Sequence, residues 1–350
     1  MRILIVKLSS IGDVVHTLPA AAWMRRALPD AEIQWVVERR ASAILKNSPA
    51  IDQLIEIDTR AWRSSMFSSD TAIEIRRALA QIKNHSGEDA PTDIAIDFQG
   101  LIKSGFVAFA SGATRRVGFC SNDLRERMSR IFLTEQAATS EKTHVIEKNL
   151  ALARAALDRE MDDSTRYEFP IAISIEDEAF AESAVSEFGP SFAIINPGGG
   201  WKTKLWPADR YGQIADWLRK EMGLRSIITF GPGEENLADA VATYSKTGAA
   251  SPRASTIKQF VALARRASLF LGGDTGPLHL AAASGTPIVG LYGPTSPERN
   301  GPFDKRDVTI GLDLWCRPAC HRRSCWHWRC MDISIREAQR AILKRLENKK

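Results

Sequence analysis

Arg2-Ile-Leu-Ile-Val-Lys7-Leu-Ser-Ser-Ile-Gly12-Asp13-Val-Val-His16-Thr-Leu-Pro19 passes from an apolar run through a glycine turn into a helical pattern. The run Arg2–Lys7 is too short for a signal-peptide core, has no small-residue cleavage site and ends in a lysine. It reads as a buried strand. A strand followed at once by a tight turn and a helix is the opening of a Rossmann-like unit, and the chain repeats it. Apolar runs at Ile3–Leu8, Ile33–Val37, Leu54–Ile57 and Ile94–Phe98 predict strands. Helical patterns near 14–27, 40–46, 71–83 and 101–110 fall between them, the alternation of a parallel sheet wrapped by helices.

A second alternation runs through Phe192–Asn196, Ser226–Phe230, Leu269–Gly272 and Ile288–Tyr292. Helices are expected at 207–220, 234–245, 257–266 and 276–284, and a terminal helix at about 333–347 with a Lys/Arg-rich exposed face. The chain of 350 residues suits two α/β domains of ordinary size. The expected boundary lies near 160–190, giving domains 1–170 and 171–350. Two such domains facing across a cleft would turn the C-terminal strand ends of both sheets, where open α/β sheets bind ligands, toward one substrate pair. Segments 59–70 and 119–145 read as long loops rich in Arg, Ser and Lys, of the kind that bind ligands.

Composition excludes several classes. Hydrophobic residues make up 44% and charged residues 25%, as in globular proteins and unlike disordered tails or membrane bundles. No run of 18 apolar residues occurs, so a spanning helix is not expected and the chain is read as cytoplasmic, with any membrane contact peripheral. With 47 Lys and Arg against 42 Asp and Glu, the net charge of +5 suits an anionic partner without choosing which. Four of the five cysteines, Cys316, Cys320, Cys325 and Cys330, lie within fifteen residues. Their spacing, with two nearby histidines, permits a structural zinc site but misses the C-x2-C knuckle. The favoured reading is of reduced thiols packing a basic loop, with Trp326 and Trp328 as apolar anchors and no metal.

Three constellations carry chemistry. In the first, Asp13 stands at a helix N-terminus, where a carboxylate can serve as a cap but is read here as a general base; His16 reads as a supporting residue. The second, Asn196-Pro-Gly198-Gly199-Gly200-Trp-Lys202-Thr-Lys204-Leu-Trp-Pro207, offers glycine N–H groups and lysines to a diphosphate. It has neither Walker nor G-x-G-x-x-G spacing, so neither an ATPase nor a dinucleotide dehydrogenase is indicated. The third, Gly272-Gly-Asp274-Thr275-Gly276-Pro277-Leu-His279, is a glycine turn feeding a helix N-terminus, a ready anion site. Taken singly, Asp274 and Thr275 read better as caps of the helix and His279 as a core residue; together the three loops fit a nucleotide diphosphate. No Asp-x-Asp loop is present to hold a metal on it, so lysine and helix dipole would neutralise the leaving group.

Taken together, these motifs resemble glycosyltransferase family 9, the ADP-heptose:lipopolysaccharide heptosyltransferases, and the opening segment looks most like the heptosyltransferase I branch. The resemblance covers nearly the whole chain. It implies a GT-B fold and an inverting, metal-independent transfer without a cofactor, from ADP-heptose to the Kdo residue of Kdo2-lipid A. It places an acceptor-binding domain first and an ADP-sugar-binding domain second, and implies peripheral contact with the inner leaflet of the inner membrane and no nucleic acid partner.

Carried over by position, Asp13 is the base. Gly199, Gly200, Lys204, Asp274, Thr275, Gly276 and His279 hold donor phosphates and heptose, and Glu234 or Glu235 meets the adenosine ribose. Lys7, Ser10, Arg60, Arg63, Gln99, Lys103 and Arg125 lie on the acceptor side, where cations suit carboxylates and phosphates. Two features depart from the heptosyltransferase I pattern: Gly199-Gly200 replaces a Thr-Thr pair, and the cysteine-rich segment resembles the heptosyltransferase II branch. Heptosyltransferase II, another sugar-nucleotide transferase, and a non-catalytic nucleotide-sugar or lipopolysaccharide binder are the alternatives.

Overall fold

The computed structural model describes residues 1–65, 68–83, 92–139, 144–160, 167–316, 320 and 322–347. The chain divides into two compact units, Met1–Ala172 and Ile173–Lys350. Each is built on a six-stranded, all-parallel sheet.

In the first unit, β1 (Arg2–Val6), β2 (Glu32–Glu38), β3 (Gln53–Ile57), β4 (Ile94–Asp97), β5 (Arg115–Phe119) and β6 (Glu135–Ala137) lie in the order β3-β2-β1-β4-β5-β6. In the second, β7 (Phe192–Asn196), β8 (Arg225–Phe230), β9 (Ala250–Ala254), β10 (Leu269–Gly273), β11 (Ile288–Leu291) and β12 (Val308–Ile310) lie in the order β12-β11-β10-β7-β8-β9. Renumbered from its own first strand, the second sheet has the topology of the first, the doubly wound Rossmann order. In both, the strand order reverses beside the first strand: at β1 and β4, and at β7 and β10. These are the two places where a parallel sheet leaves a ligand crevice, and the loops carrying Asp13 and the glycine run leave from them.

The central strands are apolar on both faces because helices cover both. Leu4, Val6, Ala95 and Val36 pack in one core, and Ile195, Ile228, Leu271 and Val289 in the other, all at most marginally exposed. Each leucine, isoleucine or valine among them contributes about 1.5–3 kcal/mol on burial. The terminal helix α14 (Ile335–Glu347) closes the second core with Ala338, Ala341 and Ile342.

Several expectations change. The helix expected over 14–27 is two, α1 (Ile11–Val15) and α2 (Leu18–Ala27), because Pro19 lacks the N–H a helix interior requires and so sits in a first turn. The helix expected at 40–46 is the single turn α3 (Arg39–Ser42). The segment 59–70 contains α4 (Thr59–Ser64), capped by Asp58, and the start of α5 (Ser69–Lys83). Within 119–145, a 3-10 turn (Arg127–Phe132) and β6 replace part of the expected loop, and residues 140–143 lie outside the described residues. Past α6 (Ile102–Ala110), α7 (Val145–Leu157) completes the first unit, and α8 (Ile175–Phe188), α9 (Ala208–Met222), α10 (Glu235–Tyr244), α11 (Ile257–Arg266) and α13 (Pro297–Asn300) belong to the second. The basic face expected on α14 is narrower than its composition suggests. Arg345 is buried in an ion pair with Asp307 at 2.6 Å, leaving Arg336, Arg340 and Lys344 exposed.

Candidate active site

In the first unit, Asp13 is the third residue of α1. Its Oδ2 accepts hydrogen bonds from the Ser10 backbone N–H at 2.9 Å and the Ser10 hydroxyl at 3.1 Å, and Arg125 Nη2 donates to Oδ1 at 3.0 Å. The carboxylate thus caps α1 and is ion-paired. Burial alone would raise its pKa, but the Lys7 and Arg125 charges, the Ser10 N–H and His16 outweigh it and hold Asp13 well below the usual carboxylate range. Lys7 is buried at the end of β1 and donates from Nζ to the Phe98 carbonyl at 2.6 Å. His16 is buried at the C-cap of α1, its ring edge-on to His144, and its carbonyl accepts from Asn149.

Gln99, expected on the acceptor side, is buried. Its Oε1 accepts from the N–H groups of Leu8 and Ser9, both at 3.1 Å, so it fixes the loop that leads to Asp13. Lys103 donates to Glu38 Oε1 at 2.9 Å and Thr59 Oγ1 at 3.3 Å, and the Thr59 hydroxyl also donates to Glu38. Beneath them, Asp97 accepts from Gln99 N, Gly100 N and Ser104 Oγ. Burial pushes its pKa up to about 6 despite those bonds and the nearby Lys7. Glu38, Asp97 and Ser104 had no motif to mark them. Their one signal was position, at the C-terminal ends of β2 and β4 or in the first turn of the helix Ile102–Ala110. Arg60 and Arg63 share α4 and are exposed; Arg63 donates to the Thr59 carbonyl of its own helix.

In the second unit, the glycine run after β7 leads into a 3-10 turn, Lys202–Lys204. Lys204 Nζ donates to Asp274 Oδ2 at 2.7 Å and to the Asp274 carbonyl at 2.8 Å, and lies 4.8 Å from the centre of the Trp201 ring. The Asp274 carboxylate, expected among the groups that hold the donor, has four partners within the fold. Its Oδ2 also accepts from Thr295 Oγ1 at 2.6 Å, and its Oδ1 accepts from Asn300 Nδ2 at 2.7 Å with His279 Nε2 at 3.1 Å. Every side of the carboxylate is engaged, so Asp274 positions Lys204 and the loop after β11. Burial would raise its pKa, but His279 and Lys204 hold it well below the usual range. Thr295 and Asn300 were missed by the sequence reading, although Gly293-Pro-Thr-Ser-Pro297 follows a parallel strand as the other site loops do.

Thr275 caps α12 (Gly276–Ala283) without a side-chain bond to the first turn, so the Gly276 and Leu278 N–H groups lack an intrahelical partner, and Pro277 between them has no N–H. Glu234 joins two glycine loops: Oε1 accepts from Gly199 N at 3.0 Å and Oε2 from Gly231 N at 2.9 Å. A β-carbon at Gly198 would overlap this carboxylate, which explains glycine there. The Gly199 N–H is therefore taken, whereas Gly200 faces open space. Glu235 is exposed and accepts from Gly233 N at 3.2 Å.

The cysteine-rich segment packs beside this site, with Thr203 Oγ1 donating to the Arg322 carbonyl at 2.7 Å. All five cysteines are free. Backbone N–H groups of Trp328 and His327 lower the Cys325 pKa, while burial and then the thiols of Cys320, Cys325 and Cys316 raise that of Cys330. Among the described residues no group of three His, Cys, Asp or Glu is arranged to hold a metal ion; His321 lies outside them. Trp328 packs on the core, but Trp326 is 90% exposed and is no anchor.

The model of glycosyltransferase family 9 (heptosyltransferase) matches residues 89–327. The lipopolysaccharide heptosyltransferase 1 of Pseudomonas aeruginosa is 30% identical over 328 residues, 93% of this chain and 87% of that protein. That of Escherichia coli K12 is 28% identical over 309 residues, 88% of this chain and 92% of that protein. In fold, the chain is similar to E. coli heptosyltransferase WaaC with ADP-2-deoxy-2-fluoro heptose, at TM-score 0.77 and 23% identity over 98% of this chain and 99% of that one. It is also similar to a glycosyl transferase family 9 structure from Veillonella parvula, at TM-score 0.81 and 22% identity, over 99% and 97%. The paired Rossmann sheets are those of the GT-B heptosyltransferases, and the chain belongs to glycosyltransferase family 9, the heptosyltransferases, and is a glycosyltransferase.

Proposed function

We propose that the protein transfers L-glycero-D-manno-heptose from ADP-heptose to the first Kdo residue of Kdo2-lipid A, with inversion and without a metal ion, at the cytoplasmic face of the inner membrane. The first unit binds the acceptor and the second the donor. Asp13 carries the reading: an ionised carboxylate beside Lys7 and Arg125 at the end of the first strand. The cations suit an acidic sugar, and the carboxylate takes the proton of the attacking hydroxyl as the bond to the anomeric carbon forms, a contribution of about 10²–10⁴-fold. ADP leaves toward Lys204 and the N-terminus of α12, whose positive charge and unpaired N–H groups take the place of a metal.

Gly200, Thr275 and Gly276 meet the diphosphate directly. Gly199, Glu234 and Asp274 act by holding the donor loops, His279 by its contact with Asp274, and Glu235 by its proximity to the ribose side. Arg60, Arg63 and Lys103 complete the acceptor side, with Ser10 and Gln99 fixing the loop of Asp13. The names of the relatives support the donor and the sugar transferred.

The test is ADP release from ADP-heptose and Kdo2-lipid A in EDTA. Acceptor-dependent release is expected, falling at least about a hundredfold in Asp13→Ala. Release only with a different acceptor would move the protein to the heptosyltransferase II reaction; donor binding without release by any acceptor would make it a binder.

A further inference from the structure

A patch of apolar side chains on the first unit is left unused by this chemistry. On α6, Ile102, Phe106 and Phe109 are spaced four and three residues apart, on one face, and are 45%, 50% and 54% exposed. Beside them, Met128 and Ile131 of the 3-10 turn Arg127–Phe132 are 62% and 66% exposed. The two segments form one surface. Gly105 lets the turn approach α6, since a β-carbon there would stand 3.0 Å from the Phe132 ring. The Phe132 ring lies 6.2 Å from that of Phe106 and 6.1 Å from that of Phe109. Leaving five large apolar side chains this exposed on two segments that pack together marks an interaction site.

The rim is basic. Arg116 is fixed to the Phe132 and Ala113 carbonyls, with its guanidinium 5.6 Å from the centre of the Phe109 ring. Arg127 and Arg130 are exposed, and neither has a carboxylate partner among the described residues. The nearest carboxylate in sequence, Glu126, is engaged by the Ile102 N–H at 2.7 Å.

We propose that α6 and the 3-10 turn are the docking face for an anionic lipid bilayer. The phenylalanines, Met128 and Ile131 enter the headgroup boundary, and the three arginines meet lipid phosphates, the combination of apolar area and positive charge that holds interfacial segments. By contrast, the exposed part of α14 offers Arg336, Arg340 and Lys344 but buries most of its apolar side in the core. The face adjoins the proposed acceptor side. Arg125, two residues before the turn, pairs with Asp13, and Lys103 lies on α6 itself. That a docked enzyme would meet its acceptor at the lipid surface rests on the function proposed above; the docking does not.

The test is flotation of the full chain with vesicles of phosphatidylcholine alone or mixed with phosphatidylglycerol, with neither donor nor acceptor present. The chain is expected to float with the anionic vesicles and to be released by high salt. Phe106→Gln with Phe109→Gln, and separately Arg127→Glu with Arg130→Glu, should each lower binding about tenfold or more. Arg336→Glu with Arg340→Glu should leave it unchanged. Thermal melting verifies that each variant is folded, and Met128→Gln with Ile131→Gln replaces the phenylalanine pair if that pair does not fold. Absence of flotation with anionic vesicles, or flotation unaffected by the α6 and turn variants, overturns the proposal. So does a dimer in sedimentation that the phenylalanine variants dissociate, which would assign the face to a second copy of the chain. Failure of ADP release with flotation intact would fall on the proposed reaction alone.

Discussion

Asp13 is ionised because of its neighbours, and of its two cations Arg125 is the exposed one and Lys7 the buried one. An acceptor carboxylate competing for Arg125 would free one oxygen of Asp13 and raise its basicity as the hydroxyl arrives. Arg125→Met should therefore move the acid limb of the kcat/KM profile to higher pH, because losing the cation brings the Asp13 pKa up toward the ordinary range; a limb that stays in place would separate Arg125 from the base. Asp97 makes the opposite case. Its folded pKa of about 6 exceeds the ordinary 3.8, so the fold favours its protonated form. The stability that proton contributes is complete below 3.8 and is lost as pH rises through about 6. Asp97→Asn should abolish this part of the pH dependence of urea unfolding and gain on wild type above about pH 7, while keeping an oxygen for the Gln99 and Gly100 N–H groups.

Among the elements, α14 depends on a charge its composition does not reveal. The Arg345–Asp307 pair is nearly inaccessible, at 4% and 3% side-chain exposure, and Asp307 also accepts the Ile288 N–H, fixing β11. Removing one partner leaves the other buried and uncompensated. Arg345→Met should cost about 3–5 kcal/mol in urea unfolding, whereas Arg336→Met, on the exposed side, should change little. The short elements escaped the sequence reading for identifiable reasons. β9 contains Pro252 and alternates apolar with polar only weakly, as an edge strand can, and β12 is three residues long. Their pairing partners, not their own residues, make them strands.

For the whole molecule, the proposed function divides labour between the two units, and ligand stabilisation tests it. ADP at a hundredfold excess over its Kd should stabilise the fold by about 2.7 kcal/mol, seen as a higher Tm. Lys204→Met should lose most of that shift and Asp13→Asn should keep it. The reverse pattern would place the nucleotide in the first unit.

Eight of the twelve strands, the glycine turns and the doubling of the Rossmann pattern were written in the sequence, because burial on both faces of a parallel sheet imposes unbroken apolar runs and turns at strand ends require glycine; β5, β6, β9 and β12 were not. For the same reason Asp13, Lys204 and Asp274 were legible as residues that follow strand ends. What only the tertiary structure decided is which of them faces a partner within the fold. Asp274 is enclosed by Lys204, His279, Thr295 and Asn300, Gln99 is turned inward onto the loop before Asp13, and Glu234 ties Gly199 to Gly231. Most of those contacts join residues far apart in the chain, and hydrogen bonds at that separation leave no periodicity for a sequence to display.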